Sequence, residues 1–202
     1  MKIIKYISKT LIVLITSLTF FLNPISADEK MTMLPERFLG KLDAPHVIIE
    51  YASLSCVHCA NFHIDKFEAI KRKYIDTGKV KFIFRDFPLD LPAMIASMVS
   101  QCQSNEGYFA VLTTLFKNQK KWAASKDVKK SIAEVLKQYS ITYDDVEACV
   151  VENETNTKRW KAILNSRVKG QELGVASTPS FFINNKKIDG TLDLEILSKT
   201  ID

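Results

Sequence analysis

The stretch HVIIEYASLSCVHCANFH, residues 46–63, joins two kinds of sequence. Its first half, HVIIEYAS (46–53), is an apolar and β-branched run, the pattern of a buried strand. Its second half carries Cys56 and Cys59 with two residues between them, His58 inside the pair and His63 beyond it. From the cysteines onward Phe62, Phe67, Ile70 and Tyr74 recur at helical spacing, and Gly78 suits a helix stop. KVKFIFRD (79–86) reads as a second strand, ended by Pro88. A strand, a helix that begins at the cysteines and a second strand form a βαβ unit, for which a parallel sheet is expected.

Outward from this unit the pattern changes. Residues 92–173 are helical in character, in segments such as LPAMIASMVSQCQ, GYFAVLTTLFKNQKKW and KKSIAEVLKQY. Thr142 with the acids after it opens a further helix in the manner of a cap, and Gly174 closes the block. The basic runs KNQKKW and KDVKK read as solvated helix faces. PSFFINNKKIDG (179–190) reads as strand, Asn-Asn turn, strand, and TLDLEILSKTID (191–202) as a short closing helix. Residues 28–45 are extended and polar. The organisation expected is one α/β domain over 46–202, split by a helical insertion over about 92–173 that is long enough to be a subdomain.

The 202 residues carry a formal net charge of +5. Lys2, Lys5 and Lys9 lie in the first 27 residues with no acid among them, so the remainder is +2. A near-neutral body gives no reason to expect nucleic acid or an acidic substrate. The first 27 residues combine that basic start with an apolar run from Leu11 to Leu22, then Pro24 and the small Ala27, the layout of a secretory signal peptide cleaved after Ala27. The run is shorter than the ~20 residues a membrane span needs. An uncleaved anchor is the alternative, and either way the body is exported. Outside the cytosol disulfides persist. The spacing of Cys56 and Cys59 makes them natural partners, which leaves Cys102 with Cys149.

The pair sits where the strand ends and the helix begins. Backbone N–H groups at a helix start favour negative charge, which stabilises a thiolate there. Cys56 lies nearer the solvent edge, and Cys59 faces inward one turn on. His58 can donate a hydrogen bond or place positive charge toward the thiolate. A zinc site would need four ligands, and His63 is the one plausible third here. A purely structural Cys56–Cys59 crosslink closes too small a loop to stabilise much.

APHVIIEYASLSCVHCANFH, KFIFRDFPLD and GVASTPSFFINN, in this order and spacing, resemble the DsbA-like thiol-disulfide oxidoreductases of the thioredoxin-fold superfamily, over nearly all of residues 38–200. The resemblance implies a thioredoxin-like fold with a helical insertion. It implies that Cys56 is the nucleophile that forms the mixed disulfide and Cys59 its resolving partner. Thr178 and Pro179 match the loop whose proline is cis and receives substrate beside the sulfurs. Glu50 resembles the family's buried acid, which relays a proton for Cys59; the flanking Val-Ile-Ile argues for burial, and an outward edge position is the alternative. Cys102 and Cys149 resemble a second, structural disulfide, with a second redox-active pair as the sharper alternative. The family's usual Pro-His between the cysteines is Val57-His58 here, and its strongest oxidants often carry valine where Thr178 stands, which implies milder oxidation. The function implied is an exported, periplasmic, monomeric dithiol oxidase acting on unfolded or reduced exported proteins. It would be reoxidised by a membrane quinone-linked thiol oxidase (DsbB-like). No flavin, metal or nucleotide motif appears, so no cofactor is expected. The competing functions are a periplasmic reductase or isomerase, and an exported metal carrier using Cys56, Cys59 and His63.

Overall fold

The computed structural model describes residues 34–201. The expected signal peptide lies outside them. Strand β1 (Arg37–Leu39) is followed by β2 (His46–Ala52), α1 (Val57–Asp65), α2 (Phe67–Ile70) with a π turn (Lys71–Ile75), and β3 (Val80–Asp86). Helices α3 (Leu91–Gln101), α4 (Asn105–Lys117), α5 (Gln119–Trp122), α6 (Val128–Leu136), α7 (Tyr143–Val150) and α8 (Glu154–Glu172) come next. The chain closes with β4 (Ser180–Ile183), β5 (Lys186–Ile188) and α9 (Leu194–Ile201).

The expected helix after the cysteines is broken at Lys66, whose φ of −122° leaves the helical range. The cause lies in the spacing. Phe62 and Phe67 are five residues apart, which an unbroken α-helix would place on different faces, yet both are buried. The break resets the phase. Ile70 and Ile75 repeat the problem, and the wider π turn solves it there. Gly78 then ends the segment at φ +77°.

The sheet has the order β1-β3-β2-β4-β5. The parallel expectation holds for β2 with β3 alone; β1 on β3, β4 on β2 and β5 on β4 run antiparallel. The sheet is mixed because its outer strands come from segments outside the βαβ unit. One is the polar approach before β2, of which Arg37–Leu39 pairs as a strand. The other is the closing hairpin, turned by Asn184 and Asn185 at positive φ. The Asn184 side chain accepts from the Val47 N–H at 2.9 Å, tying that turn to the start of β2.

One face of the sheet (Ile48, Phe82, Phe84, Phe181) and the helical layer (Leu112, Leu115, Phe116, Trp122, Ile132, Leu136) form one continuous apolar core. The other face packs Tyr51, Phe87, Val175 and Phe182 together. There α8 approaches so closely that a Cβ on Gly170 would lie 2.9 Å from the Tyr51 ring. Helix starts are capped by Asp90 in α3, by Asn153 in α8, and by the reciprocal Thr142–Asp145 box in α7. Among the described residues no helix is long and apolar enough to cross a membrane.

Candidate active site

β2 delivers the chain to the cysteines, and α1 takes it away. Cys56 is the N-cap of α1, in extended backbone, with its carbonyl accepting from the Ala60 N–H. No side chain caps this helix start, so its N–H groups stay available to a negative charge. The loop between strand and helix is pinned from the helical layer. Buried Gln119 donates its Nε2 to the Leu54 carbonyl at 2.7 Å and to the Cys56 carbonyl at 2.9 Å. The reading of KNQKKW as a solvated face is therefore corrected: Gln119 and Trp122 of that run are buried, and it is its lysines that face outward. Nothing local in the sequence marks Gln119, because its partners are 63 and 65 residues away.

Cys56 and Cys59 are both in the thiol form. Their environments differ sharply. Cys56 retains a small exposed surface (9%), and its Sγ donates to the Thr178 carbonyl at 3.2 Å. Its pKa is lowered to about 5, chiefly by a hydrogen bond from the Cys59 thiol, with smaller help from Thr178 and the backbone N–H groups of Cys59 and His58, against the cost of burial. Cys59 has no exposed surface. Burial pushes its thiol far above the ordinary range, and its bond to Cys56 and the charge of Glu50 push the same way. The pair thus has one acidic sulfur at the surface and one proton-retaining sulfur beneath it.

The backbone N–H of His58 favours the Cys56 thiolate. The ring stands exposed on the rim of a groove of about 560 Å³. Phe62, Asp65, Pro179, Lys187 and Asp189 line that groove as well. The Thr178–Pro179 peptide bond is cis, and the residue pair forms the wall facing the cysteines. Thr178 adds a smaller push toward the Cys56 thiolate.

Glu50 is completely buried, between Phe84 of β3 and Phe181 of β4 in the sheet register. Its Oε2 lies 2.8 Å from Nε2 of His63, itself buried. The edge reading of Glu50 is thereby excluded. His63 is turned toward Glu50, and among the described residues no three His, Cys, Asp or Glu side chains group in a way that could hold a metal ion. Cys102 and Cys149 are joined in a disulfide, with Cα atoms 6.0 Å apart, between the end of α3 and α7.

A strand leading into a helix-capping cysteine pair, faced by a cis-proline loop, is the arrangement on which the comparisons converge. The Thioredoxin family model matches residues 32–202. The chain belongs to that family, in its DsbA-like branch. The crystal structure of Wolbachia pipientis alpha-DsbA1 superposes with a TM-score of 0.73 at 32% identity, covering 84% of this chain and 92% of that one. Disulfide bond formation protein D of Bacillus subtilis is 25% identical over 175 residues, 81% of this chain and 74% of that protein. A Rickettsia bellii protein named as a candidate protein-disulfide oxidoreductase is 28% identical over 165 residues, 81% of this chain. The match spans 62% of that relative's own length. Within this DsbA-like frame, Cys56, Cys59, Thr178 and Pro179 are brought together at one edge of the molecule, with Glu50 beneath them and His58 on the rim.

Proposed function

We propose that this chain is an exported protein-disulfide oxidoreductase that works as a dithiol oxidase. The observation that carries the reading is the opposed character of the two sulfurs: Cys56 acidic at the surface, Cys59 buried and holding its proton. A cysteine that is stable as a thiolate is a good leaving group, so the reduced enzyme is favoured and the disulfide is donated.

The cycle starts from the Cys56–Cys59 disulfide. A substrate thiolate attacks Cys56 Sγ; the Cys56–Cys59 bond breaks with its electron pair on Cys59, which takes up a proton, and Glu50 is the buried acid placed to supply it. A mixed disulfide now joins substrate to Cys56. A second substrate thiolate attacks the substrate sulfur of that bond, and Cys56 departs as a thiolate. The substrate has lost two electrons and the enzyme pair has gained them. Thr178 and Pro179 hold the incoming chain beside the sulfurs through backbone contacts, with specificity from the groove along α1. The substrates are reduced or unfolded exported proteins. Reoxidation falls to a membrane thiol oxidase of the DsbB kind. The basic start and apolar run of residues 1–27 support export to the periplasm.

The test is a titration of Cys56 thiolate absorbance against pH, together with the Cys56–Cys59 equilibrium against glutathione. A thiol titrating near pH 5 with an oxidising couple is the expected result. A near-normal thiol with a reducing couple would replace the oxidase by a reductase. In the same assay Cys56→Ser abolishes turnover, and Cys59→Ser accumulates mixed disulfides, seen as substrate-sized mass increments on Cys56.

A further inference from the structure

Glu50 and His63 meet inside the molecule, under the cysteine pair. Nε2 of His63 is 2.8 Å from Oε2 of Glu50, and neither residue reaches solvent. The imidazole is fixed in place. It stacks on Phe116 of α4 at 4.2 Å with planes 13° apart, and Phe67 and Phe62 close in at 4.8 and 5.3 Å. A carboxyl among such neighbours is costly unless hydrogen-bonded. One oxygen is therefore committed to His63. The other, Oε1, is buried without a partner, and so is Nδ1 of His63. Cys59, one turn before His63 on α1, is close enough to feel the Glu50 charge.

We propose that His63 is the positioning residue of the proton relay: its Nε2–H donates to Oε2 of Glu50 and so reserves Oε1 for proton exchange with Cys59. The inference rests on the disulfide-exchange reading above. As the incoming thiolate bonds to Cys56, the Cys56–Cys59 electron pair passes to Cys59, and the proton on Oε1 moves to that sulfur. Glu50 is left as a carboxylate, held by the His63 N–H. When the pair is reoxidised, Cys59 loses the proton back to Oε1. The charged and titratable groups around the relay are few. Cys59 faces it from α1, with Cys56 at the N-cap of that helix. Tyr108 of α4 responds to the charges of both Glu50 and Asp86. The neighbours from β3, β4 and α2 are Phe84, Phe181 and Phe67.

The experiment reduces the oxidised full chain with glutathione between pH 5 and 9, follows loss of the Cys56–Cys59 bond by rapid alkylation, and corrects each rate for the glutathione thiolate fraction. His63→Phe keeps the aromatic packing without a donor. His63→Gln returns an N–H near the Nε2 position. His63→Asn is polar but too short to reach Oε2, and replaces the Phe variant should that one fold poorly. Expected are a loss of about tenfold at pH 7 and a flattened pH profile in His63→Phe, with His63→Gln within a few fold of wild type. The Cys56 thiolate titration stays in place in each. A folded His63→Phe with the wild-type rate and profile overturns the inference, as does a His63→Gln no faster than His63→Phe. Wild-type protein that fails to exchange with glutathione at all sinks the oxidoreductase reading instead.

Discussion

At the scale of single residues, the chemistry follows from where two sulfurs stand relative to one helix start. Cys56 meets backbone N–H groups, the Cys59 thiol and Thr178, all of which favour its thiolate. Three residues on, Cys59 meets deep burial, its bond to Cys56 and the charge of Glu50, which together hold its proton. The difference has a consequence for stability. The Cys56 pKa in the folded reduced protein is depressed to about 5 from the ordinary value of 9.0. The stabilisation it gives the reduced form is fully present above the ordinary value and is lost as pH falls through the depressed one. Reduced protein is therefore expected to exceed oxidised protein in thermal stability at pH 8 by more than at pH 6, and to lose that Cys56-derived margin by pH 4. The quantity at stake is of the order of a few kcal/mol. Paired melting curves of both redox forms across that range check it; a difference independent of pH would remove Cys56 as its source.

At the scale of elements, the site depends on a contact that spans the fold. Gln119 stands at the start of α5, a helix of 4 residues, and holds the carbonyls of Leu54 and Cys56 with one amide. Without it the buried Leu54 carbonyl loses its donor, at a cost of roughly 1–3 kcal/mol, while the Cys56 carbonyl keeps the Ala60 N–H. Gln119→Ala is expected to lower stability by about that amount in a denaturant titration. It also loosens the Cys56 turn, which will show as a raised Cys56 pKa in the absorbance titration. A variant that loses stability with the thiol unmoved would make Gln119 a packing residue alone. Elements also explain the broken helix after the cysteines. The helical pattern of Phe62, Phe67, Ile70 and Tyr74 is genuine, but the five-residue steps from Phe62 to Phe67 and from Ile70 to Ile75 need a reset at Lys66 and a π turn, which periodicity alone does not locate.

For the whole molecule, the Cys102–Cys149 bond spans a separation of 47 residues and ties α3 to α7, far along the chain from the reactive pair. Closing such a loop is worth about 4 kcal/mol in the chain-entropy account. Cys102→Ser, and equally Cys149→Ser, is expected to lower the unfolding free energy by about that much, while the Cys56–Cys59 exchange rate with glutathione stays near wild type. A folded variant that has lost exchange activity would make the second pair part of the chemistry. The helical layer and the sheet share one core, so this loss of stability will appear as a single unfolding transition.

The local sequence by itself determined the strand into the cysteines, the βαβ unit, the helical block after it, the Asn-Asn hairpin and the family, because periodicity, turn chemistry and the Cys-x-x-Cys and Thr-Pro motifs are written in neighbouring residues. The burial of Glu50 was legible too, in the apolar residues around it. The tertiary structure alone decided that most of the sheet is antiparallel and that Gln119 anchors the active-site turn. It also decided that His63 meets Glu50. The antiparallel pairings and the Gln119 anchor join groups far apart in the chain, and the Glu50–His63 contact joins a strand to a helix across a turn, so hydrogen bonds between such groups leave no periodic signal in the residues that make them.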